Sequence, residues 1–289
     1  MTGISSAPLG DRVNGRFVLK APLRHSGVVQ AFLALDHQTG RDVALSLFDP
    51  ACARPEAWAA FAGVVAAAAG AGIEGLVLPR GVEPTPPVPP HCVHEPQAGR
   101  GLDRLREQDG PMPWERALAL GERIAAVLHS AQEATRVAHR ALLPSRCLVT
   151  ADDKVLLLDY GVAELELGGG QGESAYRAPE QRQASGDPRS DIFSLAVILF
   201  ELISGKRPST KMAPRLRSLI AVPPAVDTLM SKALAQDPAQ RHPDPGALRA
   251  AIREVLGLEP VVPELPRESP AVAPAPAPAP VAVAEPELV

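Results

Sequence analysis

The chain has 289 residues, 46% of them hydrophobic, and a formal net charge of −4. That length can bury a sizeable core, and the composition excludes a chain disordered throughout. Slight acidity and scattered basic residues exclude an electrostatic nucleic-acid binder, while Cys52, Cys92 and Cys147 are too few and too widely spaced for a disulfide framework and fit a reducing cytosol.

Residues 1–14 hold no basic stretch followed by an apolar core, so a short flexible lead without a secretory signal is expected. Arg16–Leu35 reads as two strands joined by a turn near His25-Ser26-Gly27, and Asp42–Phe48 as a third strand after the turn Thr39-Gly40-Arg41. Ala57–Ile73 contains no charge. It falls short of the roughly 20 residues of a spanning helix and is mostly Ala and Gly, so no membrane span is expected. A buried helix, or one docking a partner or a second copy, is the better reading. Leu76–Pro79 and His91–His94 read as further strands around the Pro-rich turn 84–90. On such a strand His91 points away from Cys92 and His94, and no further ligands lie nearby, so no metal centre is expected.

From Pro113 the pattern turns helical, and Ala117, Leu120, Ile124, Val127, Leu128 and Ala131 fall on one face. The apolar runs Cys147–Thr150 and Val155–Leu158 flank Ala151-Asp152-Asp153-Lys154 and predict a tight hairpin. Asp191–Ser204 is the strongest helical signal, with Asp191 in the N-cap place, Gly205 in the C′ place and Pro208 beyond. Its nearly continuous apolar run predicts a buried central helix. Helices over 225–236 and 245–256 follow. Beyond Leu258 the Pro/Ala-rich composition cannot bury a core and reads as a disordered, extended spacer, or as a docking segment for a groove that takes such a chain.

The loops around the hairpin carry the motifs. His139-Arg140-Ala141, with Arg146 five residues on, precedes it; Asp159-Tyr160-Gly161 follows; Ala178-Pro179-Glu180 comes later. In order and spacing the set resembles the His-Arg-Asp with Asn, Asp-Phe-Gly and Ala-Pro-Glu signatures of the bacterial eukaryotic-like (Hanks-type) Ser/Thr protein kinases. The resemblance spans about Arg16 to Leu256. It implies an α+β, two-lobed protein-kinase-like fold: a β-rich small lobe over 15–98, a helical large lobe over 99–258 and a tail over 259–289. It implies structural roles for His139, Arg140 and Gly161, a brace from Asp191 to the backbone before the hairpin, and an ion pair between Arg241 and Glu180.

The chemical positions of that pattern are replaced. Ser46 stands where a phosphate-gripping Lys belongs, Ala141 where an Asp accepts the proton, and Arg146 where an Asn binds metal. The partner Glu of that Lys falls near Val64, so both members of the ion pair are gone. Of the Gly-rich loop only Gly27 is matched, the other two positions falling on Pro22 and Arg24. Lys20 and Arg24 are the basic residues nearest Ser46, and both are poorly placed to replace the Lys. The stretch Leu167–Gly172 and Glu173 belong to a modified activation segment, and 208–222 is short for a substrate-docking helix.

The resemblance leaves a vestigial nucleotide pocket of Val29, Ala44 and Leu148 as an apolar clamp, Glu95 and Gln97 at the hinge beside His94, and Asp159 in the metal slot. Such a pocket could take ATP with or without Mg²⁺, and a scaffold requires neither. Arg146 beside Asp159 suggests an ion pair standing in for the metal and locking the site closed. The chain is read as a cytoplasmic bacterial pseudokinase, a scaffold or regulator with protein partners such as an active kinase or a second copy docked through helix 57–73. The other readings are an ATP-binding conformational switch and a kinase with weak or unorthodox phosphotransfer.

Overall fold

Phe17 and Leu19, Phe32 and Ala34, and Val43, Leu45 and Leu47 are buried at every second position. That period of two puts one face of each strand into a common core. In the computed structural model, which describes residues 9–83, 85–166, 175–182, 186–208 and 215–259, these strands form a five-stranded antiparallel sheet in sequence order. The sheet comprises β1 (Arg12–Val13), β2 (Phe17–Ser26), β3 (Val29–Asp36), β4 (Arg41–Phe48) and, after a helix, β5 (His91–His94). β2 turns into β3 at Gly27, whose φ of 57° suits glycine. Arg16 and Asp36 lock the sheet edge through two 2.7 Å hydrogen bonds.

Helix α1 (Pro55–Ala71) lies against this sheet. Trp58 and Phe61 face inward and meet Phe48 edge-on, with Val65 and Cys52 in the same cluster. Its outward positions are Ala59, Ala60, Gly63, Ala66 and Ala67. The large apolar side chains are therefore under local cover. No helix among the described residues is long and apolar enough to cross a membrane.

The expected strand at Leu76–Pro79 does not form. Leu76 makes one isolated bridge to Leu157, Val77 N–H donates to the Leu157 carbonyl, and Arg80 N–H donates to Val93. The segment is shared between two sheets with too few amides for a ladder, and Pro79 has none to give.

The second lobe begins with β6 (Arg100–Gly101), which pairs with β7 (Cys147–Val149) and through it with β8 (Val155–Leu157), the expected hairpin. Around it pack α2 (Leu102–Asp109), α3 (Trp114–Thr135), α4 (Pro188–Ser204), α5 (Pro224–Ala233) and α6 (Pro245–Val255). The six residues assigned to one face of α3 are all buried. α4 is apolar nearly all round and its residues are buried from Ser190 to Ile203. Each such Leu, Ile or Phe contributes about 1.5–3 kcal/mol on burial. Gly205 ends α4 with φ of 70°, as its place in the sequence implies. Asp191 is not the cap. Asp187 caps the helix through a capping box with Ser190, and Pro188 opens it. Asp191 thus sits in the first turn with its carboxylate free for another task.

Leu167–Gly172, Glu173, the Pro/Ala-rich tail from Pro260 and most of the chain between Pro208 and Arg215 lie outside the described residues.

Candidate functional site

The hairpin β7–β8 presents two loops to the cleft between the lobes, and each is held by a carboxylate. Asp191 accepts from the backbone N–H groups of His139 and Arg140, both at 2.7 Å. Arg140 sits at φ of 57°, a left-handed conformation that costs an L-residue about 1–2 kcal/mol, and the brace holds it there. Burial pushes the Asp191 carboxyl up to about 7, against the pull of those two donors. His139 is wholly enclosed, its Nε2 lies 3.0 Å from the Leu158 carbonyl, and burial pushes it down to about 4. Arg241 and Glu180 form the expected ion pair at 2.7 and 2.9 Å, with Arg241 stacked over Phe193.

Asp159 is held differently. Arg24, from the end of β2, grips it bidentately at 2.5 and 2.6 Å. Arg146 approaches from the hairpin side, Nε to Oδ2 at 3.2 Å, and Ser26 Oγ lies 3.3 Å from the same oxygen. Burial alone would push this carboxyl up; the guanidiniums of Arg24 and Arg146 overcome it and hold Asp159 well below the usual carboxylate range. Asp159 also has φ of 60°.

Arg146 is fully buried and spreads its donors over several acceptors besides Asp159. It bonds the Ala141 carbonyl at 2.6 Å, the Ser26 carbonyl at 3.2 Å, Ser26 Oγ at 3.3 Å and Glu166 at 2.9 Å. Arg177 closes the chain on Glu166 at 2.6 Å. Arg140 pairs with Glu164. The expected pair of Arg146 with Asp159 is therefore present, but it is one link in a longer arrangement.

Residues Ser26, Glu164, Glu166 and Arg177 were not singled out from the sequence. Glu164 and Glu166, directly after Asp159-Tyr160-Gly161, were the available signal. Arg24 also departs from expectation. Lys20 pairs with exposed Asp42 on the sheet, but Arg24 reaches into the cleft, because β2 runs on to Ser26 and aims it at Asp159.

The cleft is lined by Leu23, Ala31, Ala44, Ser46, Val77, Leu148 and Leu158, with His94, Glu95 and Gln97 along its hinge side. Ala44, Leu148, Glu95 and Gln97 are thus brought together. Val29 is not. It is buried in the helix-facing cluster with Trp58 and Phe48, and Ala31, directly opposite Ser46 in the β3–β4 register, lines the cleft in its place. Burial pushes His94 down to about 4, so it is neutral. The cleft encloses about 120 Å³, below the ~300–1,000 Å³ usual for small-molecule sites. Arg104 helps to narrow it by bonding the Leu23 carbonyl at 2.6 Å.

Val64 stands where a Glu was expected by resemblance, and it packs on Gly161, whose φ is 87°. Tyr160 lies under α1 with Ala68 and Ala131, its hydroxyl 2.5 Å from the Val137 carbonyl. At the α1 position where the resemblance implies a charged partner for residue 46, the structure has apolar packing onto this loop instead.

For this cleft the resemblance implies ATP and a divalent cation. The cation does not fit this donor set. Both oxygens of Asp159 are engaged by guanidinium or hydroxyl donors, and Arg146 replaces a neutral ligand with a positive charge. Like unit charges about 4 Å apart repel by ~4 kcal/mol at an effective dielectric near 20. Among the described residues no group of three His, Cys, Asp or Glu could hold a metal ion.

The family model described as "Protein kinase domain" matches residues 91–243. The serine/threonine-protein kinase PknL of Mycobacterium tuberculosis is 30% identical over 285 residues, covering 89% of this chain and 70% of its own. PknD of the same organism is 34% identical over 185 residues, covering 55% of this chain and 27% of its own. Among solved structures, the PknI kinase domain of M. tuberculosis superposes with a TM-score of 0.67 at 21% identity over 86% of this chain and 98% of its own. The two lobes and the cleft between them define a protein-kinase-like fold. This chain belongs to the protein kinase domain family, with Ser/Thr kinase relatives in bacteria.

Proposed function

We propose that this kinase domain does not transfer phosphate and acts through protein–protein contacts, as a signalling scaffold or regulator. One observation carries the reading: Asp159, the carboxylate in the metal slot, is already neutralised by Arg24 and Arg146. Ser46 and Ala141 add to it, since a hydroxyl supplies no charge to a triphosphate and a methyl accepts no proton. Removing one such group commonly costs ~10³-fold in rate. Partners for such a domain are an active kinase or a second copy.

The test is phosphotransfer from labelled ATP to the protein itself and to a general protein substrate, with Mg²⁺ or Mn²⁺. No transfer above the buffer control is expected. Transfer that disappears in Asp159→Asn would overturn the reading. Sedimentation of the purified chain, and of Ala66→Arg on the outward face of α1, tests the second copy. A concentration-dependent dimer lost in that variant supports it.

A further inference from the structure

Three arginines, Arg24, Arg146 and Arg177, face two carboxylates, Asp159 and Glu166, beneath the turn between β2 and β3. Arg24 holds Asp159 with the two-pronged geometry that guanidinium offers equally to a carboxylate and to a phosphate. Asp159 is in that sense an internal anion occupying an anion-binding fork. The apolar part of the cleft beside it, Leu23, Ala31, Ala44 and Leu148, remains open along the hinge.

We propose that this cleft takes a nucleoside polyphosphate without its divalent cation, that Arg24 leaves Asp159 to grip the phosphate chain, and that Mg²⁺ opposes binding. The proposal rests on the reading above, in which the metal slot is filled by arginine. A free polyphosphate brings negative charge to the end of the cleft where Arg24, Arg146 and Arg177 meet only Asp159 and Glu166; Glu95 and Asp103 line the rest of the cleft. Chelation removes part of that charge and places a cation beside Arg146. Both effects run against the metal complex, the reverse of a site built around a divalent ion.

Entry also requires the loop to move. The described cleft is too small for a nucleotide, and the turn between β2 and β3 is tied down at three places. Arg24 bonds Asp159, Arg146 bonds the Ser26 carbonyl, and Arg104 bonds the Leu23 carbonyl. The polyphosphate supplies the competing anion that releases the first of these ties. Binding is accordingly of modest affinity and weakens with salt, because it exchanges one charge-assisted contact for another.

Titration of the full chain with ATP, followed by calorimetry and thermal unfolding, tests this in EDTA and then in excess Mg²⁺. The expected result is binding in EDTA that weakens roughly tenfold or more with Mg²⁺, with inorganic triphosphate competing. Asp159→Asn removes the internal competitor and should tighten metal-free ATP by roughly three- to tenfold, whereas a metal-dependent site would lose affinity on the same change. Arg24→Gln should abolish the difference between EDTA and Mg²⁺.

Binding that requires Mg²⁺, binding lost in Asp159→Asn, or no binding in either buffer would each overturn the proposal. The last result, with no phosphotransfer, leaves the scaffold reading intact. Mg²⁺-dependent binding together with phosphotransfer overturns both.

Discussion

Two buried carboxylates 32 residues apart in the chain, Asp159 and Asp191, show how differently one lobe treats the same side chain. Asp191 accepts from two backbone amides and, among the described residues, pairs with no guanidinium at short range, so burial dominates and its carboxyl holds its proton up to about 7. Asp159 lies between two guanidiniums that outweigh an equally deep burial. The first carboxylate organises backbone, as the family pattern implies. The second, at the position where the family pattern implies a metal ligand, is the centre of a salt-bridge cluster that joins β2 to the hairpin loops.

The sharpest way to break that comparison is to damage each region once. Glu180→Gln leaves Arg241, whose side chain is 0% exposed, without its counter-charge, and should cost about 3 kcal/mol in urea unfolding. Gly161→Ala should cost about 1–2 kcal/mol, since the new Cβ would stand at positive φ and 3.2 Å from Phe61 and Val64. Asp159→Asn should cost only about 1 kcal/mol, because Arg146 keeps Glu166 and the Ala141 carbonyl and Arg24 keeps Ser26 Oγ. If Asp159→Asn destabilises more than Glu180→Gln, the cleft cluster holds the fold together and the distinction collapses.

The pH dependence sharpens the same contrast with a smaller effect. Burial pushes His94, His139 and His242 down to about 4. Below about 6.5 the unfolded chain takes protons on these imidazoles that the fold refuses, so stability falls as pH drops towards 4. Asp191 runs the other way. Its folded carboxyl binds a proton near 7 that the unfolded chain releases down to about 4, so its contribution grows as pH falls. Asp159 contributes stability at neutral pH that is lost only below about 4, as the pH falls towards its depressed folded value. Melting temperatures should therefore fall from pH 6.5 to 4, and the slope of Asp191→Asn should be steeper than that of the parent. A flat profile would mean that these histidines are solvated.

Much of the frame was legible because it rests on periodicity. The β2–β3–β4 meander, the buried face of α3, the hairpin and the burial of α4 all follow from spacing that survives in any register. Pairings between distant residues became legible only through the motif order, which placed Arg241 opposite Glu180 and Asp191 under His139. Where those cues were thin, the outcome differed. The resemblance puts Val29 in the cleft, but the β3–β4 register opposes Ala31 to Ser46 and turns Val29 towards α1. The cap of α4 moved to Asp187, because Pro188 is better suited than Asp191 to open a helix.

The sequence by itself determined the two-lobed frame, the positions at which a kinase would keep its chemistry, and the replacements found there. Only the tertiary structure decided what those replacements do together. Arg24 and Asp159 are 135 residues apart, and Arg146 and Ser26 are 120 apart. No local spacing encodes such contacts. They arise when the sheet packs on the helical lobe and buried charges must find partners there, since an unpaired ion in that interior costs several kcal/mol.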